Sequence, residues 1–469
     1  MTASEDRAVH IEQRSIDWIP ASERHGTPRG LFPVWFGANV QLTTLITGAL
    51  AAELGLSLPW ALLAIVAGNL FGAVFMALHS AQGPKLGVPQ MIQSRAQFGF
   101  YGAVVPIILV ILMYVGFFAS SGVLAGDALS AATPLSPDAG IVGVSLVCVV
   151  ITVFGYKMIH ILERASSVLS GLTLAFLTVL VISHGDPTSV WHPAPFHGGA
   201  FLLMLAIAAT WQIAYAPYVA DYSRYLPEQS STGRCFWWTY AGTVTSSVWM
   251  MALGALGAAL APTALEQGFT GYLLGLVPGA ARWPVAAALV LGIIAVNVLN
   301  LYGAFMSFTT TATVIRRFSV TRAVRTATVL TVGGIGTFLA VAGRTSFINS
   351  YTNFILFLTY FLVPWTSINL MDFYFIRRER YDIPSLFRPE GRYGLVSWRT
   401  MATYLAGVAI EIPFMSASFY TGPMVARLGG ADISWVLGLL SSAALYYLAM
   451  RNQREGAYRE TEQQLSFRS

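Results

Sequence analysis

Twelve stretches of this chain are each long and apolar enough to cross a bilayer, and that pattern excludes most folds. They run over about 31–52, 57–79, 101–129, 139–158, 165–183, 199–220, 236–261, 284–314, 326–343, 347–376, 400–420 and 433–450. A spanning helix needs about 20 apolar residues. Backbone groups in hydrocarbon must pair within their own segment, so the runs predict helices rather than open strands. Charged residues make up 10% of the chain, against about 25% in soluble domains. Water cannot solvate so much apolar surface on a globule, so the bulk of the chain belongs in a membrane.

The basic residues predict an orientation. With the N-terminus in the cytosol, the inner tails and loops hold 24 of the 27 lysines and arginines, and the outer loops hold Arg282, Arg344 and Arg427. Both ends then lie inside, which places the protein in the plasma (inner) membrane. Residues 1–30 read as a polar cytosolic tail and not as a cleaved signal. Residues 31–451 read as one membrane domain, and 452–469 as a second cytosolic tail. Cys148 and Cys235 are the two cysteines, too few for a disulfide framework.

Four runs carry polar or aromatic groups at mid-depth. In 33-PVWFGANVQLTTLITG-48, Gly37, Gln41, Thr44 and Gly48 share a helix face. Gly48 suits a close helix contact, whereas a mid-membrane amide such as Gln41 needs a partner. In the third run Tyr114, Phe117, Phe118 and Ser121 share a face, which would also suit plain packing. The sixth run holds Trp211 beside Gln212 and then Pro217. An indole and an amide suit a planar, hydrogen-bonding solute, and Pro217 predicts a kink or break. In the eighth run Asn297, Asn300, Ala304 and Ser307 share a face. Two amides at mid-depth point to binding more than to packing, although they could also bridge helices.

Embedded charges are few. Asp221 with Arg224, and Asp372 with Arg377, fall at inner helix ends, where they are expected to be wetted by the cytosol. Glu411 is the acid placed well inside a run, and an intramembrane carboxylate is a candidate for proton handling. His184, His192 and His197 share an outer loop without a ligand set at metal spacing. Neither a nucleophile–base arrangement nor a phosphate-cradling glycine loop is present. The expectation is therefore a non-enzyme without cofactor or nucleic-acid partner.

The chain also resembles the first type of nucleobase:cation symporters, which include purine–cytosine, hydantoin and allantoin permeases. The likeness rests on 94-SRAQFGFYGAVVP-106, 155-GYKMIHILERASS-167, 218-YVADYSRYLP-227 and 353-NFILFLTYFLVPWTSINLMDFYFIRR-378. Asn300 and Tyr302 look most like the purine–cytosine branch. The resemblance implies an all-α integral membrane protein of twelve helices with a leucine-transporter-like fold. Its inverted five-helix repeats would cover about 31–183 and 199–376, with accessory helices at about 400–450. The solute would lie near the midplane between broken helices 1 and 6 and helices 3 and 8, the four polar runs found above.

By resemblance, Trp211 is the stacking tryptophan and Gln41 the glutamine facing the solute. Tyr114 stands where related permeases stack a tryptophan, and Phe118 where some place a glutamine. Gln212, Asn297 and Asn300 would supply replacement hydrogen bonds, with Phe117 among the aromatic walls. Thr210 stands where relatives have the glycine of the break, which implies a smaller unwinding or one that relies on Pro217. A sodium ion would take backbone carbonyls of Gly37, Val40 and Ala295. The two hydroxyl positions fall on Val298 and Leu299, so the resemblance leans to proton coupling or to a sodium site rebuilt around Asn297. The expected activity is import of cytosine or a purine with H+ or Na+. The alternative is a permease for allantoin, hydantoin or another planar cyclic amide.

Overall fold

The computed structural model describes residues 17–154, 156–315 and 321–466, without the side chains of 154, 156–165, 266–267, 313–315, 322 and 453–466. The start of the N-terminal tail, most of the 155–167 motif, the side chains of Arg316, Arg317 and Arg322, and those of the C-terminal tail lie outside them.

The first run is two helices, α1 (Leu31–Asn39) and α2 (Leu42–Glu53), bent by 59° at Val40–Gln41. Then come α3 (Leu58–Ser80) and two short helices, α4 (Gln82–Leu86) and α5 (Gln90–Phe98). They lead to α6 (Val104–Ala132), α7 (Pro137–Phe154) and α8 (Tyr156–His184). The sixth run is α9 (Gly198–Ile213) and α10 (Ala216–Ser223), followed by α11 (Thr232–Leu260). Short α12 (Ala264–Gln267) and α13 (Phe269–Gly275) precede α14 (Gly279–Ile315), α15 (Arg322–Gly343) and α16 (Phe347–Leu370). The chain closes with α17 (Trp398–Glu411), α18 (Pro423–Arg427) and α19 (Ser434–Ser466).

By length and composition, seven helical stretches among the described residues can cross a membrane, or eight with the bent α1–α2 pair. One of the seven, 323–376, takes in both the ninth and tenth runs, while α7, α17 and α19 hold three runs without meeting those limits. The expectation of helices alone also needs correction. The run at 400–420 stops being α-helical at Glu411, passes through a 3-10 turn containing Pro413, and becomes a two-stranded hairpin, β1 (Ser416–Ala417) and β2 (Tyr420–Thr421). Proline removes a donor and clashes with the preceding turn, which ends the helix there.

The long helices are apolar outside and polar inside, as lipid solvent demands. Val168, Leu172 and Val179 of α8 and Phe338 of α15 are each more than 60% exposed, whereas Asn39, Asn69, Gln212 and Asn297 are 0% exposed. Packing groups the helices into two bodies. One joins α1, α2, α3, α9, α10 and α11, and the other joins α6, α7, α14 and α15. In the first body α2 and α11 meet backbone to backbone: a Cβ on Gly48 would overlap Met251, and one on Gly254 would overlap the Leu45 carbonyl. Gly48 is thus the small-residue contact anticipated for it. Because backbone cannot yield as a side chain does, Gly48→Ala is expected to cost about 1–3 kcal/mol of stability. Thermal unfolding of purified protein in detergent, followed by size exclusion, would register the loss.

At the basic end, α4 and α5 fold inward instead of forming a wetted loop. Gln82, Gln90, Gln93 and Gln97 are all buried. Gln82 donates to Asn369 at 2.9 Å, and the Gln90 backbone N–H donates to Asp221 at 2.7 Å. Asp372 is 0% and Arg224 2% exposed, which corrects the expectation of solvated charges. Asp372 instead accepts from Arg377 at 3.0 Å, Gln97 at 2.9 Å, Tyr381 at 2.6 Å and Tyr446 at 2.8 Å. Burial alone would lower the Arg377 pKa, but the Asp372 charge outweighs it and holds the guanidinium above its ordinary value. Burial pulls Arg95 down to about 10, which still leaves it charged at neutral pH.

Candidate functional site

The break in the first span frees backbone groups that a continuous helix would pair. Val40 and Gln41 leave helical geometry, with φ/ψ of −81°/72° and −151°/161°. The Gln41 amide turns back and donates to the Ala38 carbonyl at 2.7 Å, and the Tyr215 hydroxyl reaches the same carbonyl at 3.2 Å. The two broken spans therefore meet at Ala38.

In the sixth run the break falls at Ala214–Tyr215, three residues ahead of Pro217. Pro217 occupies the first turn of α10, where no intrahelical donor is required, so it begins the second half without disrupting it. Both linking residues keep right-handed helical angles, and 198–223 reads as one span. The break is small. The Thr210 hydroxyl, where a glycine was expected, is bonded to Thr359 of α16 at 2.7 Å.

Trp211 is 2% exposed. Its ring meets Phe117 edge to face at 5.7 Å and Tyr215 at 6.0 Å. Phe117 meets Phe354 of α16 at 5.1 Å. Tyr218 lies between Tyr215 at 5.6 Å and Tyr114 at 5.8 Å. A Cβ on Gly303 of α14 would overlap the Tyr114 ring. Rings from both bodies thus face one another beside the two breaks. Tyr215, Tyr218 and Phe354 were not singled out in the sequence. The first two follow Trp211 at i+4 and i+7, a same-face spacing that could have revealed them, whereas Phe354 comes from a distant segment.

Asn39 was also missed. It accepts the Trp211 indole N–H at 2.7 Å and donates to Thr243 at 3.0 Å. Thr243 donates to Gln212 at 2.6 Å, and Gln212 donates to Asn69 at 2.7 Å and Ser247 at 2.6 Å. The structure turns the Gln212 amide away from the rings and into this relay between α3, α9 and α11. One residue along a helix rotates a side chain by about 100°, so Trp211 and Gln212 cannot face the same space. The relay holds the edge of the indole instead. Asn39→Ala would strand that N–H, a loss of about 1–3 kcal/mol, and is expected to raise the KM for a stacked solute several-fold. Initial-rate uptake across solute concentrations would measure it.

The remaining residues divide between the two bodies. Phe118 is buried against Gly336 of α15, away from Trp211. Asn297 donates to the Phe118 carbonyl at 3.1 Å and accepts from Asn300 at 3.3 Å. Asn297 is thereby committed to the α6–α14 contact, and Asn300, 9% exposed, lies one turn further along. Gly37 lies beside Ser167 of α8, while Val40 and Ala295 are buried. Among the described residues no three His, Cys, Asp or Glu side chains gather as a metal set.

Comparison with known proteins extends this picture. Residues 18–438 match a family model described as a permease for cytosine/purines, uracil, thiamine and allantoin. YxlA of Bacillus subtilis, which carries the provisional name of a purine-cytosine permease, is 44% identical over 454 residues, covering 96% of this chain and 99% of its own. The purine-cytosine permease FcyB of Emericella nidulans is 26% identical, with coverages of 94% and 89%. Among solved structures, Mhp1, a nucleobase-cation-symport-1 family transporter in a closed conformation with bromovinylhydantoin bound, superposes with a TM-score of 0.74. At 19% identity, covering 95% of this chain and 97% of Mhp1, that likeness concerns the fold.

Proposed function

The chain belongs to the family of permeases for cytosine/purines, uracil, thiamine and allantoin, and from that premise we propose that it imports cytosine or a purine by cation symport, with H+ favoured over Na+. The observation that carries this reading is the set of rings beside two broken helices, with the Trp211 indole held by Asn39 at 2.7 Å. A flat heterocycle stacks on such a surface. Trp211, Phe117 and Tyr114 would wall the solute, and Gln41 and Asn300 would offer amides to its edge. Gln41 can exchange its bond to Ala38 for one to the solute, and this would couple binding to the geometry of the first break. Access would alternate as the two helix bodies rock about the site.

The relatives are permeases and not enzymes. Twelve spans, arranged as two inverted sets of five plus two accessory helices, would place both termini in the cytosol. The coupling ion would sit near Gly37, Val40 and Ala295. Val298 and Leu299 bring no hydroxyl to it, which favours a proton.

The second reading, a permease for allantoin, hydantoin or another planar cyclic amide, draws on the commitment of Gln212 and Asn297 to internal bonds. With fewer free amides, the site suits a smaller polar edge. Uptake of labelled cytosine into proteoliposomes under a proton or a sodium gradient tests the first reading. Accumulation under neither gradient would refute it. Competition by allantoin or hydantoin stronger than by adenine would favour the second.

A further inference from the structure

Glu411 ends α17 with its side chain turned to α19, where a Cβ on Gly438 would overlap the carboxyl group. It is 0% exposed, and no described residue donates to either carboxyl oxygen. The Ser441 and Ser442 hydroxyls and the Trp435 indole N–H are also buried without a partner among the described residues. Trp435, Gly438 and Ser442 stand at i, i+3 and i+7, on one face of α19. That face meets Gly407 and Glu411 of α17, since a Cβ on Gly407 would overlap the Ser442 hydroxyl.

Asp432, just ahead of α19, is the opposite case. It accepts from the Tyr360 hydroxyl at 2.8 Å, the backbone N–H groups of Ser416 at 2.7 Å and Ser434 at 2.9 Å, and the Ser434 hydroxyl at 2.5 Å. A buried carboxyl with neither donors nor a cation beside it neutralises. The titratable groups acting with Glu411 are Asp432, Tyr360 of α16 and Tyr404 of α17. The Tyr404 hydroxyl is donated to the Phe361 carbonyl at 3.2 Å. Arg95 of α5, which packs at the other end of α17, is turned to the Leu386 carbonyl at 3.0 Å.

We propose that Glu411 is a proton-holding site between α17 and α19, outside the solute pathway. Its carboxyl carries a proton at neutral pH and releases it to solvent in alkaline medium, leaving an anion beside Asp432. Tyr360 ties this change to α16. The same helix bonds Thr210 of α9 through Thr359 at 2.7 Å and Thr47 of α2 through Tyr351 at 2.8 Å.

Infrared spectroscopy of the full-length protein in liposomes tests the proton directly. The expected result is a protonated-carboxyl C=O band at neutral pH that fades on alkaline titration and is missing from Glu411→Gln. Identical wild-type and Glu411→Gln spectra at neutral pH would overturn the proposal. A proton held by the folded state alone makes stability fall as pH rises. Wild-type thermal stability should thus drop from neutral to alkaline pH while Glu411→Gln holds steady, and parallel pH profiles would also overturn the proposal. If Glu411→Gln does not fold, the alkaline titration of the wild-type band decides alone.

Discussion

Trp211→Ala is expected to abolish saturable uptake while the protein still reaches the membrane folded. The indole is held on its edge by Asn39 at 2.7 Å and flanked by Phe117 at 5.7 Å. Under the proposed function a heterocycle stacks on this ring. Stacking of a base on an aromatic side chain contributes about 1–3 kcal/mol, which is roughly a 5- to 150-fold change in affinity. Trp211→Phe keeps a ring but loses the N–H, so it should fall between wild type and Trp211→Ala. Uptake by proteoliposomes, normalised to monodisperse protein, gives the comparison. A wild-type KM in Trp211→Ala would mean that the solute binds elsewhere.

Asp372→Ala is expected to be the most damaging single change to stability among the residues considered. Asp372 is 0% exposed and gathers donors from α5, α19 and the segment after α16. Removing it leaves Arg377, whose side chain is 16% exposed, as a largely shielded charge without its counter-ion. Breaking such a pair costs about 3–5 kcal/mol, a large share of a membrane protein's margin. Thermal unfolding in detergent should show it, and a double-mutant cycle with Arg377→Ala isolates the pair. If the double variant is no more stable than Asp372→Ala, the cost lies in the tyrosine and glutamine bonds and not in the stranded cation.

Much of the fold was legible because lipid imposes a simple rule on composition. Each apolar run of about 20 residues had to be helical, and each run does hold a helix or helix pair. The run at 400–420 was read too long because hydrophobicity does not distinguish a helix from a hairpin held by tertiary bonds, such as Ser416 to Asp432. The burial of α4 and α5 was invisible for a related reason. Four glutamines in one segment carry no local sign of burial, because their partners come from α10 and α16.

At the site, Trp211, Gln41, Tyr114 and Asn300 were recognisable as polar or planar groups at mid-depth. The direction of each side chain was not. Gln212 and Trp211 are adjacent in sequence, yet Gln212 joins a relay through Thr243, Asn69 and Ser247, residues 31, 143 and 35 positions away.

The sequence by itself determined that this protein is a bundle of membrane helices, and which of those helices carry aromatic and amide groups at mid-depth. That follows from solvent and periodicity, which act along the chain. Tertiary structure alone decided which amides are committed to internal bonds, where the spans break, and that Glu411 finds no donor among the described residues while Asp432 finds four. Those outcomes depend on hydrogen-bond partners brought together from distant segments, and no local pattern encodes them.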